Sequence, residues 1–161
     1  MRLLSLPAFV LAMTWLPAFA AAQAPSSGAL GDCTVTITGA QYWRSADMMA
    51  HPGRASDGFG AMIVSVSARI ECTRDARIRV GGGSVVVADA RTLLHRPELE
   101  IAGHDAWDGR VAAGTPVEVS ITWRDGPLAS RGSEARAIVR LRAGSAVLEL
   151  SAPGRAVAFP S

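Results

Sequence analysis

The chain has 161 residues, 49% of them apolar, 6% aromatic and 19% charged, a length that points to one domain and a composition that excludes disorder as its main state. All 16 basic residues are arginine, neither lysine nor asparagine occurs, and 14 carboxylates leave a formal net charge of +2. Signs so nearly balanced and interspersed along the chain give no general reason to bind nucleic acid or an anionic membrane, since both call for a net basic stripe.

Residues 1–22 carry Arg2, an apolar stretch from Leu3 through Leu16, then Pro17 and small residues. This is the layout of a secretory signal peptide. Ala18-Phe19-Ala20 and Ala20-Ala21-Ala22 both satisfy the small-x-small rule, so the mature chain is expected to begin at Ala21 or Gln23. The competing reading is an uncleaved membrane anchor; Pro7, Pro17 and the alanine run favour a processed leader. Cys33 lies too far beyond the apolar stretch, and too close to Asp32, to be an acylated lipoprotein cysteine. No later segment is long and apolar enough to span a bilayer, so the expected product is soluble, periplasmic or secreted, with no stable membrane insertion. Cys33 and Cys72 are the only cysteines, and in an oxidising compartment one disulfide is the default expectation.

Residues 23–31, rich in Ala, Pro, Ser and Gly, are read as a flexible linker, and 32–161 as a single β-sandwich domain. From Cys33, apolar residues recur with period two, the signature of half-buried strands. Cys33, Val35 and Ile37 share one face, and so do Met62, Val64, Val66, Ala68, Ile70 and Cys72. Placing Cys33 opposite Cys72 in an antiparallel pair sets Val35 against Ile70, Ile37 against Ala68, Gly39 against Val66 and Trp43 against Met62. All fall on the inward face, whereas a one-residue slip would set Val35 against a charged residue.

Further along, Ile78 and Val80 alternate with arginines, Gly81-Gly82-Gly83 reads as a bend or bulge, and Val85-Val86-Val87 as a short buried run. Val117, Val119, Ile121 and Trp123 form another inward set, as do Ala135, Ala137, Val139 and Leu141, then Ala146, Leu148 and Leu150 after a turn at Ala143-Gly144-Ser145. Shorter strands are expected near 93–95, 99–102 and 156–159. Asp57-Gly58, Asp108-Gly109 and Asp125-Gly126 are turn dipeptides. The expected fold is all-β, an antiparallel immunoglobulin-like β-sandwich of about 7–9 strands, with a small β-barrel as the alternative.

The runs Val85-Val86-Val87-Ala88-Asp89-Ala90-Arg91-Thr92-Leu93-Leu94 and Ala113-Gly114-Thr115-Pro116-Val117-Glu118-Val119 resemble those of small exported bacterial proteins with an immunoglobulin-like sandwich, most of them uncharacterised. The resemblance rests on patterning across most of the mature chain. It implies a binding or accessory role and supplies no functional residue.

Candidate chemistry is sparse. Met48, Met49 and His51, with Asp57 and Met62, are ligand types a copper carrier uses, but their spacing matches no metal motif. His104, Asp105 and Asp108 beside Trp107 offer acid-base groups a hydrolase could employ; the simpler reading is a hairpin loop with Trp107 folded onto the domain. No hydrolase, metalloprotease or nucleotide-binding motif occurs, and no cofactor or metal is expected. The stretch Arg44 to Gly60 is long for a loop and therefore a candidate contact surface. With Trp43 taken as inward, Tyr42 and Arg44 fall outward at its base, and Met48, Met49 and Phe59 lie within it. Arg136, Arg140 and Arg142 form a basic stripe on one strand face, available to an acidic surface or paired with Glu118 or Glu149. The leading expectation is a non-catalytic binding or accessory protein of the cell envelope, its partner a protein or envelope component rather than nucleic acid.

Overall fold

The computed structural model describes residues 26–44, 61–101 and 105–158. Among them the chain forms eleven strands and no helix. In chain order these are β1 (Ser27–Leu30), β2 (Cys33–Arg44), β3 (Met62–Cys72), β4 (Ala76–Val87), β5 (Ala90–Leu94), β6 (Glu98–Ile101), β7 (Asp105–Ala106), β8 (Arg110–Val111), β9 (Val117–Gly126), β10 (Glu134–Ala143) and β11 (Ala146–Ala158).

The strands form one curled, open sheet, ordered β5-β4-β10-β11-β2-β3-β9-β6-β7, with β1 also on β2 and β8 also on β4. Every pairing is antiparallel except β11 with β2, whose last residues run parallel: Ala156 opposite Tyr42, Ala158 opposite Arg44. Earlier in its length β11 pairs with β10, from Ala146 to Arg155, so a single strand joins the two halves of the sheet. The halves face one another across the core. A Cβ on Gly83 of β4 would stand 2.6 Å from the indole of Trp123 on β9, and the Tyr42 hydroxyl on β2 reaches the backbone of β10 and β11.

Period-two patterning accounts for the core. Val35, Met62, Val64, Val66, Ala68, Ile70, Ile78, Val85, Val119, Ile121, Trp123, Ala135, Ala137, Val139, Leu141 and Leu150 are all buried, and their polar alternates lie on the other face of the sheet, where Ser65, Ser84 and Ser151 are covered by longer neighbours. At about 25 cal/mol per Å² of apolar area, each large member of this set contributes roughly 1.5–3 kcal/mol relative to exposure.

Cys33 and Cys72 are joined in a disulfide. The expected register holds from Cys33↔Cys72 through Val35↔Ile70 to Ile37↔Ala68. It then breaks: Thr38 is an extra residue, and beyond it Gly39 faces Ser67, Tyr42 faces Val64 and Trp43 faces Ile63. A bulge of one residue turns every following side chain to the other face. Tyr42 is consequently core, 1% exposed, and Trp43 is only half-buried, the reverse of the sequence expectation.

Three smaller features of the fold have the same origin in pairing. Residues 27–30 of the expected linker are strand β1, held on β2 from Ser27↔Thr36 to Leu30↔Cys33, with Leu30 fully buried. The glycine run, read as a bend or bulge, is a bulge: β4 continues through it, with Gly81 as the extra residue between Gly82↔Arg140 and Val80↔Leu141. Asp125-Gly126 closes β9 rather than making a turn: Asp125 accepts a hydrogen bond from the His95 N–H at 2.8 Å, and Gly126 lies against the Met62 backbone.

Candidate functional site: an arginine-bearing sheet face

On β4, β5, β10 and β11 the inward positions are apolar, so alternation sends their neighbours to the opposite face. The ladder registers then set these neighbours in rows. Arg91, Val86, Arg136 and Pro153 form one row; Leu93, Ser84, Ile138 and Ser151 the next; Gly82, Arg140 and Glu149 a third; Arg79, Arg142 and Val147 a fourth. With Arg77, Glu134 and Arg155 at the strand ends, this outer face holds seven arginines and two glutamates, an excess of five positive charges.

The outer face of the other half differs in kind. Around a hydroxyl ladder in which Ser65 meets Ser120 at 3.2 Å and Thr122 at 3.0 Å, it carries Arg69 and Arg124 against Glu71, Glu98, Glu100 and Glu118. Its arginines are spoken for. Arg69 pairs with Glu71 at 2.7 Å and Glu118 at 3.7 Å, and Arg124 forks onto Glu98 with bonds of 2.9–3.1 Å. The hydrogen bonds from Arg124 hold the Glu98 carboxyl below its ordinary range, and Glu98 raises Arg124 in return. The fold therefore separates signs that the sequence intersperses: a basic face on one half, a net acidic face on the other.

On the basic face the pairing is incomplete. Glu149 is shared, 3.0 Å from Arg140 and 4.0 Å from Arg91, while the Arg91 Nε donates to the Ser84 hydroxyl at 2.9 Å. Arg79 and Arg142 are directly opposite on neighbouring strands, a like-charge placement that costs stability. Arg142 lies over Gly81, where a Cβ would meet its side chain at 3.0–3.2 Å. Between these groups is a shallow depression of about 280 Å³ lined by Gly82, Ser84, Arg91, Leu93, Ile138 and Arg140, among others.

Of the residues singled out by sequence, Arg136, Arg140 and Arg142 come together here, and Glu149 rather than Glu118 is the partner of Arg140. Tyr42 does not belong to any surface. It is buried in the core, and burial pushes its hydroxyl up to about 12. Arg44 is half-buried at the end of β2, opposite Met62, and Met62 is fully buried, which removes it as a surface ligand. Met48, Met49, His51, Asp57 and Phe59 lie outside the described residues, as does His104. Asp105 and Asp108 are exposed; Asp108 accepts from the Arg110 N–H at 3.0 Å, and Trp107 is buried with its indole N–H on the Arg110 carbonyl. Trp107 is thus folded onto the domain, while residues 107–109 link β7, paired with β6, to β8, paired with β4, and do not form a hairpin loop. Among the described residues no three His, Cys, Asp or Glu side chains are grouped to hold a metal ion, and no helix is long and apolar enough to cross a membrane.

Sequence reasoning missed Arg77, Arg79, Arg91 and Arg155 as members of the face. Each has the outward parity that Arg136 has, but only the strand order sets β5, β4, β10 and β11 side by side.

No family model and no curated protein sequence matches the chain. Among solved structures it is similar to one described as a "putative lipoprotein (ycdA)" from Bacillus subtilis, at 8% identity and a TM-score of 0.47, over 82% of this chain and 39% of that one. The chain thus spans well under half the length of that protein.

Proposed function

We propose that the chain is an exported, non-catalytic accessory protein of the cell envelope, periplasmic or secreted, which docks its arginine-bearing face onto an acidic partner. The facing half-sheets serve as an immunoglobulin-like scaffold for that face. One observation carries this reading: seven arginines are gathered on the outer face of β4, β5, β10 and β11 with two glutamates to balance them, while the opposite face keeps its arginines paired. Placing like charges together costs stability, and a partner's anions offset that cost. The amino-terminal leader pattern supports export.

The test compares two double variants of equal charge change. Arg136→Gln with Arg142→Gln is expected to elute from a cation-exchange column at clearly lower salt than the parent. Arg69→Gln with Arg124→Gln, on the other half, is expected to shift it much less. Equal shifts would show that only net charge matters and would remove the basic face as a docking surface.

A further inference from the structure

We infer that the acidic partner of this face is the headgroup surface of an anionic lipid bilayer, to which the protein binds peripherally. This rests on the docking reading above and specifies its occupant. Three features of the face favour a bilayer over a macromolecular ligand.

The first is the spread of charge. Arginines occupy positions on all four strands, at strand spacings of about 4.8 Å and about 3.4 Å per residue along each strand, so they cover a broad area instead of lining one groove. A two-dimensional array of anions can meet all of them at once, whereas an extended peptide follows a single row. The second is the absence of aromatic anchors: none of the outward positions on these four strands is Trp, Tyr or Phe, although protein interfaces concentrate their binding energy in Trp and Tyr together with Arg. Electrostatic attachment to a charged surface needs none. The third is the position of exposed aliphatic side chains. Leu93, 63% exposed, and Val147, 54% exposed, stand on this same face, at its β5 edge and on β11. Isolated apolar groups among arginines reach just below the headgroups while the guanidiniums stay at their level.

Each arginine held near an anionic surface strengthens binding about fivefold, and the attraction fades beyond a Debye length of about 8 Å at physiological salt. Several arginines together therefore make attachment firm at low salt and reversible at high salt.

The experiment is sedimentation of the processed protein with vesicles of phosphatidylcholine alone and of phosphatidylcholine with phosphatidylglycerol. Binding is expected to the mixed vesicles only, and to be abolished by high salt. Arg136→Gln with Arg142→Gln should weaken it about 25-fold, with the thermal unfolding midpoint as the check on folding. Arg69→Gln with Arg124→Gln should leave it close to the parent. Leu93→Ser with Val147→Ser should weaken vesicle binding while leaving retention on the cation-exchange column unchanged; undiminished vesicle binding in that variant would overturn the apposition of this face to the bilayer. If the protein ignores anionic vesicles while its column retention still depends on Arg136 and Arg142, the bilayer inference fails and the docking reading stands, with an acidic macromolecule as partner. If neither measurement depends on those arginines, both fail.

Discussion

Tyr42 is the only tyrosine in the chain and ties three strands together. From β2 its hydroxyl donates to the Ala152 carbonyl on β11 and accepts from the Ala137 N–H on β10 at 2.7 Å, while its ring packs on Gly154. Ala137 and Ala152 face each other in the β10–β11 ladder, so one side chain hydrogen-bonds the backbone of two neighbouring strands. Tyr42→Phe should cost about 2–4 kcal/mol, measured by denaturant unfolding. The same hydroxyl sets an alkaline limit. Its folded value, raised from 10.0 to about 12 by burial, lies above that of the unfolded chain, so stability is fully present below pH 10 and falls as pH rises toward 12. The loss should approach about 2–3 kcal/mol. Phenolate absorbance follows this single group directly, and Tyr42→Phe should lose the pH-dependent component. None of this is visible in the sequence, because Tyr42 has the parity of an exposed residue until Thr38 is known to be an extra one.

At the level of strands, the β2–β3 pair shows which features are written locally and which are not. The disulfide and the inward apolar set agree on one register from Cys33 to Ile37, and that much is legible because a slip would bury charge. The bulge at Thr38 leaves no mark, since an ordinary residue suffices to make it and the reason lies in the core, where Tyr42 must reach β10. Strand β1 is hidden for a related reason: Ser-Gly-Ala-Leu has little intrinsic strand preference and forms because β2 offers it an edge. Reducing Cys33–Cys72, which are separated by 39 positions, should lower stability by about 4 kcal/mol on a chain-entropy basis, read from unfolding with and without reductant. Gly83→Ala probes the contact across the sheet. The new Cβ would meet the buried indole of Trp123 at 2.6 and 2.8 Å, and a large ring in a close-packed core cannot yield cheaply, so a loss of about 1–3 kcal/mol is expected by thermal or denaturant unfolding.

For the molecule as a whole, the distribution of charge is the property that summing the sequence conceals. A net charge of +2 suggests a surface of no particular sign, yet curling one sheet on itself sorts the arginines of β4, β5, β10 and β11 to one exterior. Alternation shows which arginines point outward; pairing order decides which of them meet, and that order is set by contacts distant in sequence. Arg44 and Met62, on either side of the segment 45–60, face each other in the ladder. Replacing that segment with a short Gly-Ser link should leave the unfolding free energy within about 1 kcal/mol of the parent, because closure entropy changes slowly with loop length. A large loss of stability would show that the segment packs into the core.

The position of β11 also fixes when the fold can be completed. This last strand supplies the parallel neighbour of β2, the ladder partner of β10 and the carbonyl that receives the Tyr42 hydroxyl. Until it has been synthesised, β2 lacks that neighbour and no strand ladder joins the two halves of the sheet. Closure waits on contacts between residues more than a hundred positions apart, the kind that form slowly. A growing chain is thereby kept from settling into its final form before its carboxyl-terminal strand is free, which is the condition a polypeptide needs if it is to be threaded unfolded across a membrane and fold on the far side.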